Sequence, residues 1–312
     1  MRSASHDGLH ARRDPLRRAD DVPAKSSYDM TTVAEIPRAV SDAQRLLAEA
    51  MTPWVGPVAA EIESALYRDD FSALGADRFL FRTPAGARLL YVRGQPVTID
   101  PGDADEGEID LYLWGTVYGA VAWLNGFVAL HAGAVEVEGR AIAFTGASGA
   151  GKSTLVAALS SRGHGVLCDD TLILCETEGD IWAMPDPKPL KLTAESARIA
   201  GLADGERIGL VPNKTLVQAG NRAERPLPMN TLYELKAGSD TRISKVSGAA
   251  KVELLARSLY RDQFHESLTS EAAHAQLMLD LATAITMKRF ERNFDMSQFY
   301  EQLQDLANDF TK

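Results

Sequence analysis

A glycine-rich stretch in the middle of the chain has the residue types that bind phosphate groups. Residues 146–153 have the sequence GASGAGKS, which fits the pattern G-x-x-x-x-G-K-[ST]. Glycines let the backbone curl so that successive N–H groups point inwards at the phosphates of a nucleotide. In such a loop Lys152 reaches the β- and γ-phosphates, and the hydroxyl of Ser153 ligates Mg²⁺. We therefore predict a P-loop that binds ATP through Gly146, Ala147, Ser148, Gly149, Ala150, Gly151, Lys152, Ser153 and Thr154.

Two adjacent acidic residues follow this motif and could belong to the same site. Between Lys152 and Asp169-Asp170 there is room for one helix and one returning strand. Phosphoryl transfer needs carboxylates, both for the metal ion and for the acceptor hydroxyl. Two acids on a surface turn are otherwise simply solvated, but this spacing favours a position beside the P-loop.

The elements predicted around the motif would place it correctly for this chemistry. Residues 128–137 alternate as a strand, Glu138-Gly139 forms a turn, and residues 141–145 form a short apolar strand. A helix is predicted from Lys152 to about Arg162, followed by a strand over 166–168. A phosphate-binding loop requires a strand before it and a helix after it. This context argues against the alternative of an ordinary glycine-rich turn.

The remaining sequence divides into segments of different character. Residues 1–30 are polar without periodicity and are predicted to be a disordered tail. Residues 31–107 are predicted to form a small α+β domain, and residues 108–247 a core that holds the motif. Residues 248–312 have helical periodicity throughout. The predicted fold is α/β, with the P-loop on a mixed sheet, a small N-terminal α+β domain and C-terminal helices.

The small N-terminal domain is predicted to contain two helices and a hairpin. Apolar residues recur at helical spacing over 37–51 and again over 55–67. The pattern then alternates on both sides of Pro84-Ala85-Gly86, which indicates a β-hairpin. No residue type in this domain suggests chemistry.

One apolar segment is long enough to cross a membrane. Ile109–Leu130 contains only one charged residue, Asp110. However, it includes Asn125, has no basic flank and leads directly into the strand before the motif. We therefore predict a buried helix and no membrane association.

Residues 130–174 resemble the catalytic core of the HPr serine kinase family. The shared features, in order, are a histidine that opens a strand (His131), a hairpin, the P-loop, a helix that ends in Arg-Gly-His, and a double aspartate. The resemblance is closest to divergent HPr-kinase-like proteins, some of which phosphorylate a serine of a precursor peptide. Residues 187–192 and 226–235 are also similar to that subgroup. The resemblance implies a sheet of the HPr kinase type and transfer of the γ-phosphoryl group of ATP, with Mg²⁺, to a serine hydroxyl.

The resemblance also implies roles for individual residues. Asp170 would be the general base that accepts the proton of the acceptor hydroxyl, and Lys152 would act on the phosphates. Asp169 would hold Mg²⁺ together with Ser153, and His131 would orient the acid pair. Without the resemblance, His131 would be interpreted as a core histidine.

The sequence also departs from the family. Ala147 stands where HPr kinases usually carry aspartate, and the family signature after the double aspartate is not recognisable. HPr itself as substrate and the reverse phosphorolysis reaction are therefore not implied. Basic residues after the acid pair could hold the γ-phosphate, although each of them alone is expected on the solvated surface. These residues are Lys188, Lys191, Arg198, Arg207 and Lys214, of which Lys214 is the strongest candidate.

The composition of the chain indicates which binding partners and which cellular compartment to expect. A net charge of −10 argues against a general nucleic-acid-binding protein. Cys168 and Cys175 lie in an apolar run and are expected to be buried free thiols, which suits a reducing cytoplasm. No apolar signal segment is recognised near the N-terminus, so cytoplasmic localisation is predicted. Because members of the resembled family assemble into oligomers, a homo-oligomer is compatible with the sequence.

Three functions remain open at this point. The first is an ATP-dependent kinase acting on a serine of a protein or peptide, and the second is a kinase acting on a small-molecule hydroxyl. The third is a non-catalytic nucleotide-sensing module. The presence of Lys152, Ser153 and both aspartates argues against the third function, because a sensor can lose Asp170 without losing affinity for ATP.

Overall fold

The described part of the chain begins just after the polar N-terminal segment. The structure, a computed structural model, describes residues 34–202, 206–207, 214–293, 295 and 297–310. Contacts divide the chain into two units, Met1–Ala34 and Glu35–Lys312, and the second unit is described below. The predicted disordered tail lies outside the described residues.

Short helices and strands make up this unit. The helices are α1 (Arg38–Ala50), α2 (Glu106–Tyr112), α3 (Tyr118–Leu124), α4 (Lys152–Ser160), α5 (Ala194–Ile199), α6 (Ala249–Ala256), α7 (Asp262–Leu268), α8 (Glu271–Ala284) and α9 (Phe299–Asp309). The first strands are β1 (Trp54–Val55), β2 (Tyr67–Arg68), β3 (Ser72–Leu74), β4 (Arg78–Arg82), β5 (Arg88–Val92), β6 (Thr98–Asp100), β7 (Val128–Leu130), β8 (Ala132–Val137) and β9 (Arg140–Thr145). The later strands are β10 (Gly165–Cys168), β11 (Leu172–Thr177), β12 (Asp180–Met184), β13 (Leu190–Thr193), β14 (Glu206–Arg207), β15 (Lys214–Val217), β16 (Leu227–Ala237), β17 (Arg242–Val246) and β18 (Thr286–Arg292).

The N-terminal strands form a six-stranded sheet in the order β1-β6-β5-β4-β3-β2. The predicted hairpin is confirmed as β4–β5, in which Phe81 pairs with Leu89. Buried residues of this sheet, such as Phe79 and Tyr91, share one apolar core with residues of α3 such as Val121. The predicted domain boundary at residue 107 stays a prediction.

Of the two helices predicted in this region, α1 is confirmed and the second is wrong. Residues 56–66 are irregular between β1 and β2. Gly56-Pro57 interrupts helix formation at the start of the segment. Val58 and Ile62, whose spacing suggested a helix, bury their side chains with Leu80 from an irregular backbone instead.

A nine-stranded mixed sheet forms the centre of the unit, which confirms the predicted mixed α/β architecture. Its main order is β10-β8-β9-β16-β12-β11-β7, and β18 also pairs with β16 and with β17. Strand β16 is parallel to both β9 and β18, whereas β8 is antiparallel to its neighbours β9 and β10. The glycine-rich motif therefore follows a strand in the interior of this sheet.

The prediction that residues 248–312 are helical throughout is wrong for β18. This strand pairs along its whole length with β16, with Phe290 opposite Leu235. It also pairs on its other side with β17, so neighbouring strands satisfy its backbone polar groups. The tertiary pairing outweighs the local periodicity.

The apolar segment Ile109–Leu130 is not one continuous helix. It consists of most of α2, a π-helical turn over Leu113–Val117, α3, and β7, which pairs with β11. All residues of α3 are buried, as expected for a core helix. None of the helices among the described residues combines the length and the hydrophobicity that a membrane span requires.

The two cysteines have the state expected from the sequence. Cys168 at the end of β10 and Cys175 in β11 are both buried and free. Burial raises the pKa of the Cys168 thiol far above its usual value. This thiol is therefore protonated and unreactive at neutral pH.

Candidate active site

The glycine-rich loop, residues Gly146–Gly151, joins a central strand to the start of a helix. Strand β9 ends at Thr145 and α4 begins at Lys152, as predicted. Gly149 and Gly151 have φ angles of 83° and 87°, a backbone conformation that other residues rarely adopt. At Gly146 a Cβ atom would lie 2.7 Å from the carbonyl oxygen of Leu235 in the neighbouring strand. Glycine is thus required for this path of the backbone.

We expect Gly151→Ala to destabilise the protein more than the matched variant Gly149→Ala. Both variants place alanine at a positive φ, at a cost of about 1–2 kcal/mol. In addition, a Cβ at Gly151 would lie 2.7 Å from Nη2 of Arg292, whereas the space around Gly149 is open. Arg292 is buried, with its guanidinium 5.3 Å from the centre of the Phe299 ring, so it has little room to move. Thermal unfolding of both variants measures the difference, and equal losses of Tm would contradict the expected clash.

The side chains that begin α4 are held within the loop and beside the acid pair. The Nζ atom of Lys152 donates hydrogen bonds to the carbonyl oxygens of Gly146 at 2.8 Å and Ala147 at 3.4 Å. Burial lowers the pKa of Lys152, and the nearby carboxylates offset part of this effect. The hydroxyl of Ser153 donates a hydrogen bond to Oδ1 of Asp169 at 2.9 Å. The predicted metal ligands are therefore in direct contact.

The two aspartates differ in their surroundings. Asp169 is buried, and its Oδ2 accepts a hydrogen bond from the backbone N–H of Lys191 at 3.2 Å. Burial raises the pKa of Asp169, and the charge of Asp170 adds to this effect. Asp170 has a strained φ of 82° and a side chain that is 32% exposed. Partial burial alone would raise the pKa of Asp170, but Lys188, Lys191 and other positive groups outweigh it and hold the pKa below its usual value.

His131 lies between β7 and β8 and contacts the exposed member of the acid pair. Its Nδ1 atom is 3.3 Å from Oδ1 of Asp170 and 3.1 Å from the carbonyl oxygen of the same residue. The backbone N–H of His131 donates to the carbonyl oxygen of Ser258 at 2.7 Å, which holds the main chain at this residue. Burial lowers the pKa of His131, partly offset by Asp170, so the imidazole is neutral at pH 7. With its proton on Nδ1, a neutral imidazole can donate one hydrogen bond to Asp170, whose backbone carbonyl oxygen is the nearer acceptor.

An ionic cluster behind the acid pair was not anticipated from the sequence. Lys188, expected on the surface, is buried, with its Nζ 3.6 Å from Oδ2 of Asp186 and a hydrogen bond of 3.1 Å to the carbonyl oxygen of Trp114. Arg222 lies 3.1 Å from Oδ1 of the same aspartate. Burial raises the pKa of Asp186 to about 6 despite these two cations. The cluster is anchored to the strand of the acid pair, since the backbone N–H of Asp186 donates to the carbonyl oxygen of Leu167.

The other basic residues suggested by the sequence differ in their exposure to solvent. Lys191 and Lys214 are half-buried, and Arg198 is exposed as expected. The side chain of Arg207 lies outside the described residues. Arg292, which the sequence did not suggest, reaches the glycine-rich loop because β18 lies beside β16.

The donor set at the start of α4 suits Mg²⁺ held together with phosphate oxygens. Within the described residues, no group of three or more His, Cys, Asp or Glu side chains could hold a metal ion. Magnesium, however, usually binds through one or two protein oxygens, several waters and the phosphates of a substrate. The hydroxyl of Ser153 and the carboxylate of Asp169 are oxygen ligands of this kind.

Comparison with known proteins found weak similarity among solved structures. Among solved structures, the Hpr(Ser) kinase/phosphatase from Coxiella burnetii is similar to this chain, with 10% sequence identity and a TM-score of 0.32. The similarity covers 59% of this chain and 97% of that chain. No protein-family model matches the sequence, and no curated protein matches it either.

Proposed function

We propose that this protein is an ATP-dependent kinase that transfers the γ-phosphoryl group to a serine hydroxyl of a protein or peptide. One observation carries the proposal: the hydrogen bond between Ser153 and Asp169 joins the glycine-rich loop to the acid pair. Phosphoryl transfer needs a phosphate-binding loop, a metal-binding carboxylate and a group that accepts the proton of the nucleophile. Within one site, Lys152 would act with the loop on the phosphates, Asp169 would bind the metal ion and Asp170 would accept the proton.

The glycine-rich loop and the start of α4 would bind the phosphates. Backbone N–H groups of the loop and the positive end of the α4 dipole favour a negatively charged ligand. Lys152, held at the loop carbonyls, would neutralise charge on the β- and γ-phosphates. Ser153 and Asp169 would hold Mg²⁺, which when bound neutralises phosphate charge and helps align the reacting group.

Asp170 would accept the proton of the acceptor hydroxyl. The hydroxyl oxygen forms a bond to the γ-phosphorus, and the bond from this phosphorus to the bridging oxygen of ADP breaks. Because the pKa of Asp170 is held low, this carboxylate is a weak base, and its close placement supplies most of its effect. His131 keeps the carboxylate in position through its Nδ1 contact.

We expect Asp169→Asn to increase the Mg²⁺ concentration that ATP binding and transfer require. The variant removes one negative charge next to the Ser153 hydroxyl, and affinity for Mg²⁺ depends on such ligand charge. Titrating Mg²⁺ at fixed ATP, with the thermal shift as the signal, measures the change. Asp240→Asn, at an exposed turn, is the matched control and should behave as wild type. An unchanged midpoint for Asp169→Asn would remove this residue from the metal site.

A further inference from the structure

Two lysines lie on the same face of a small sheet next to the candidate active site. Strands β13 and β15 are antiparallel, with Lys191 opposite Leu216 and Thr193 opposite Lys214. Residues directly opposite each other in such a pair point to the same face, and every second residue along a strand shares that face. Lys191 and Lys214 are therefore diagonal neighbours on one face. The other face carries residues such as Leu190, which is buried in the core beneath α4.

The face with the two lysines is close to the acid pair and to the glycine-rich loop. The backbone N–H of Lys191 contacts Oδ2 of Asp169 at 3.2 Å. Burial lowers the pKa of Lys191, and the positive charges of Lys188 and Lys214 lower it further. Lys214 has the same effect on the pKa of Lys152. The lysines therefore lie within electrostatic range of one another and of the acid pair.

The Nζ atoms of Lys191 and Lys214 form no ion pair in the part of the chain that the structure describes, although the charges of Asp170 and Asp169 lie close enough to raise the pKa of Lys191. Lys188 differs from them, because its Nζ contacts Asp186 and the carbonyl oxygen of Trp114. No hydrogen bond or ion pair to a described residue is made by the Nζ of Lys191 or Lys214, although both side chains are half-buried. Partly burying an unpaired ammonium group costs free energy, and like charges nearby add to that cost.

An anion bound between these lysines would offset the free-energy cost of burying their charges. Because Lys188 is paired with Asp186, three lysines (Lys152, Lys191 and Lys214) face the two carboxylates of the acid pair, which leaves a positive surplus in this region. A Mg²⁺-bound nucleoside triphosphate carries the complementary negative charge. Lys152 already lies at the loop carbonyls, where the β-phosphate side of the nucleotide is expected.

We propose that Lys191 and Lys214 bind the γ-phosphate of ATP, the group that is transferred. This inference rests on the proposed function and adds a phosphate contact outside the glycine-rich loop. Because ADP lacks the γ-phosphate, these two lysines would distinguish ATP from ADP. Fixed positive charges at the moving phosphoryl group would also stabilise charge in the transition state.

The test is the ratio of ATP affinity to ADP affinity in Lys191→Met and Lys214→Met, measured by calorimetry with Mg²⁺. A lost charge-assisted contact predicts about tenfold weaker ATP binding, with ADP binding within about twofold of wild type. Lys245→Met, which removes an exposed lysine on β17, is the matched control and should change neither affinity. The ligand-free Lys191→Met protein should be at least as stable as wild type, since an unfavourably placed charge is removed.

Several outcomes would overturn this inference. If the affinities for ATP and ADP fell equally, the lysines would contact a phosphate other than the γ-phosphate. If neither affinity changed, the lysines would not belong to the nucleotide site. A lower Tm of Lys191→Met without ligand would indicate a structural role, and Lys191→Gln then provides the second variant for the affinity ratio. If wild type binds neither nucleotide, the proposed function fails as well. If wild type binds and transfers normally while the ratio stays constant, only the inference about the lysines fails.

Discussion

Replacing Lys152 with alanine is expected to abolish phosphoryl transfer and to weaken binding of ATP–Mg²⁺ roughly 10–100-fold. The variant removes the ammonium group that lies at the carbonyl oxygens of Gly146 and Ala147, where the phosphates would bind. We expect the rate of transfer to fall by a larger factor than the affinity for ATP–Mg²⁺, because charge on the γ-phosphate and the leaving oxygen grows as the reaction proceeds.

The thermal shift produced by ATP–Mg²⁺ measures the loss of binding by Lys152→Ala. Binding to the folded state alone raises the Tm in proportion to the logarithm of ligand concentration over Kd. Lys245→Ala, at an exposed position on β17, is the control for the loss of a lysine. If ATP–Mg²⁺ stabilised Lys152→Ala as much as wild type, the glycine-rich loop would not be a nucleotide site.

Asp170→Asn is expected to bind ATP–Mg²⁺ almost normally and to transfer phosphate about 10²–10⁴-fold more slowly. Asparagine keeps the size of the side chain and an oxygen for the contact with Nδ1 of His131. It cannot accept a proton from the acceptor hydroxyl. The measurement is a pair of titrations on one preparation, with nucleotide binding by calorimetry and transfer rate under saturating ATP.

Comparison with Asp169→Asn separates the roles of the two acids. Asp169 is buried against Ser153, whereas Asp170 is one-third exposed, so only Asp170 is open to an acceptor. If Asp170→Asn kept full activity and Asp169→Asn were inactive at any Mg²⁺ concentration, the two roles would be exchanged. If both variants kept full activity, the acid pair would be structural and the proposed kinase would lose its main support.

The parts of the site that could be predicted from sequence are those fixed by local pattern. The glycine-rich loop follows a short apolar strand and opens a helix, and each of these has a signal within a few residues. Asp169-Asp170 could likewise be placed just after β10, because the short apolar strand before them is a local signal. The contact of His131 with Asp170 was suggested only by the resemblance, because residues 39 apart in sequence carry no local signal of proximity.

The features that sequence analysis missed depend on distant residues. Lys188 lies between two prolines, a surface-like context, yet Asp186 and the Trp114 carbonyl allow it to be buried. Arg292 could not be placed near the loop while its segment was expected to be helical. That segment is a strand because β18 pairs with β16 and β17. Hydrophobic periodicity carries no information about pairing between distant strands. Distant residues also hold the π-helical turn over Leu113–Val117, where the carbonyl oxygen of Trp114 accepts from Lys188 and the hydroxyl of Thr116 accepts from Arg261.

The proposed kinase would move the γ-phosphoryl group of ATP onto a hydroxyl. The most direct measurement uses ATP labelled in the γ-phosphate, incubated with Mg²⁺ and a serine-containing peptide library, and in parallel with a mixture of small-molecule alcohols. We expect acid-stable phosphoserine in the peptide arm for wild type and almost none for Asp170→Asn. Label confined to the small-molecule arm would identify a metabolite kinase. Label that stays in ATP in both arms, with ATP bound equally well by both proteins, would contradict phosphoryl transfer and leave a nucleotide-sensing module.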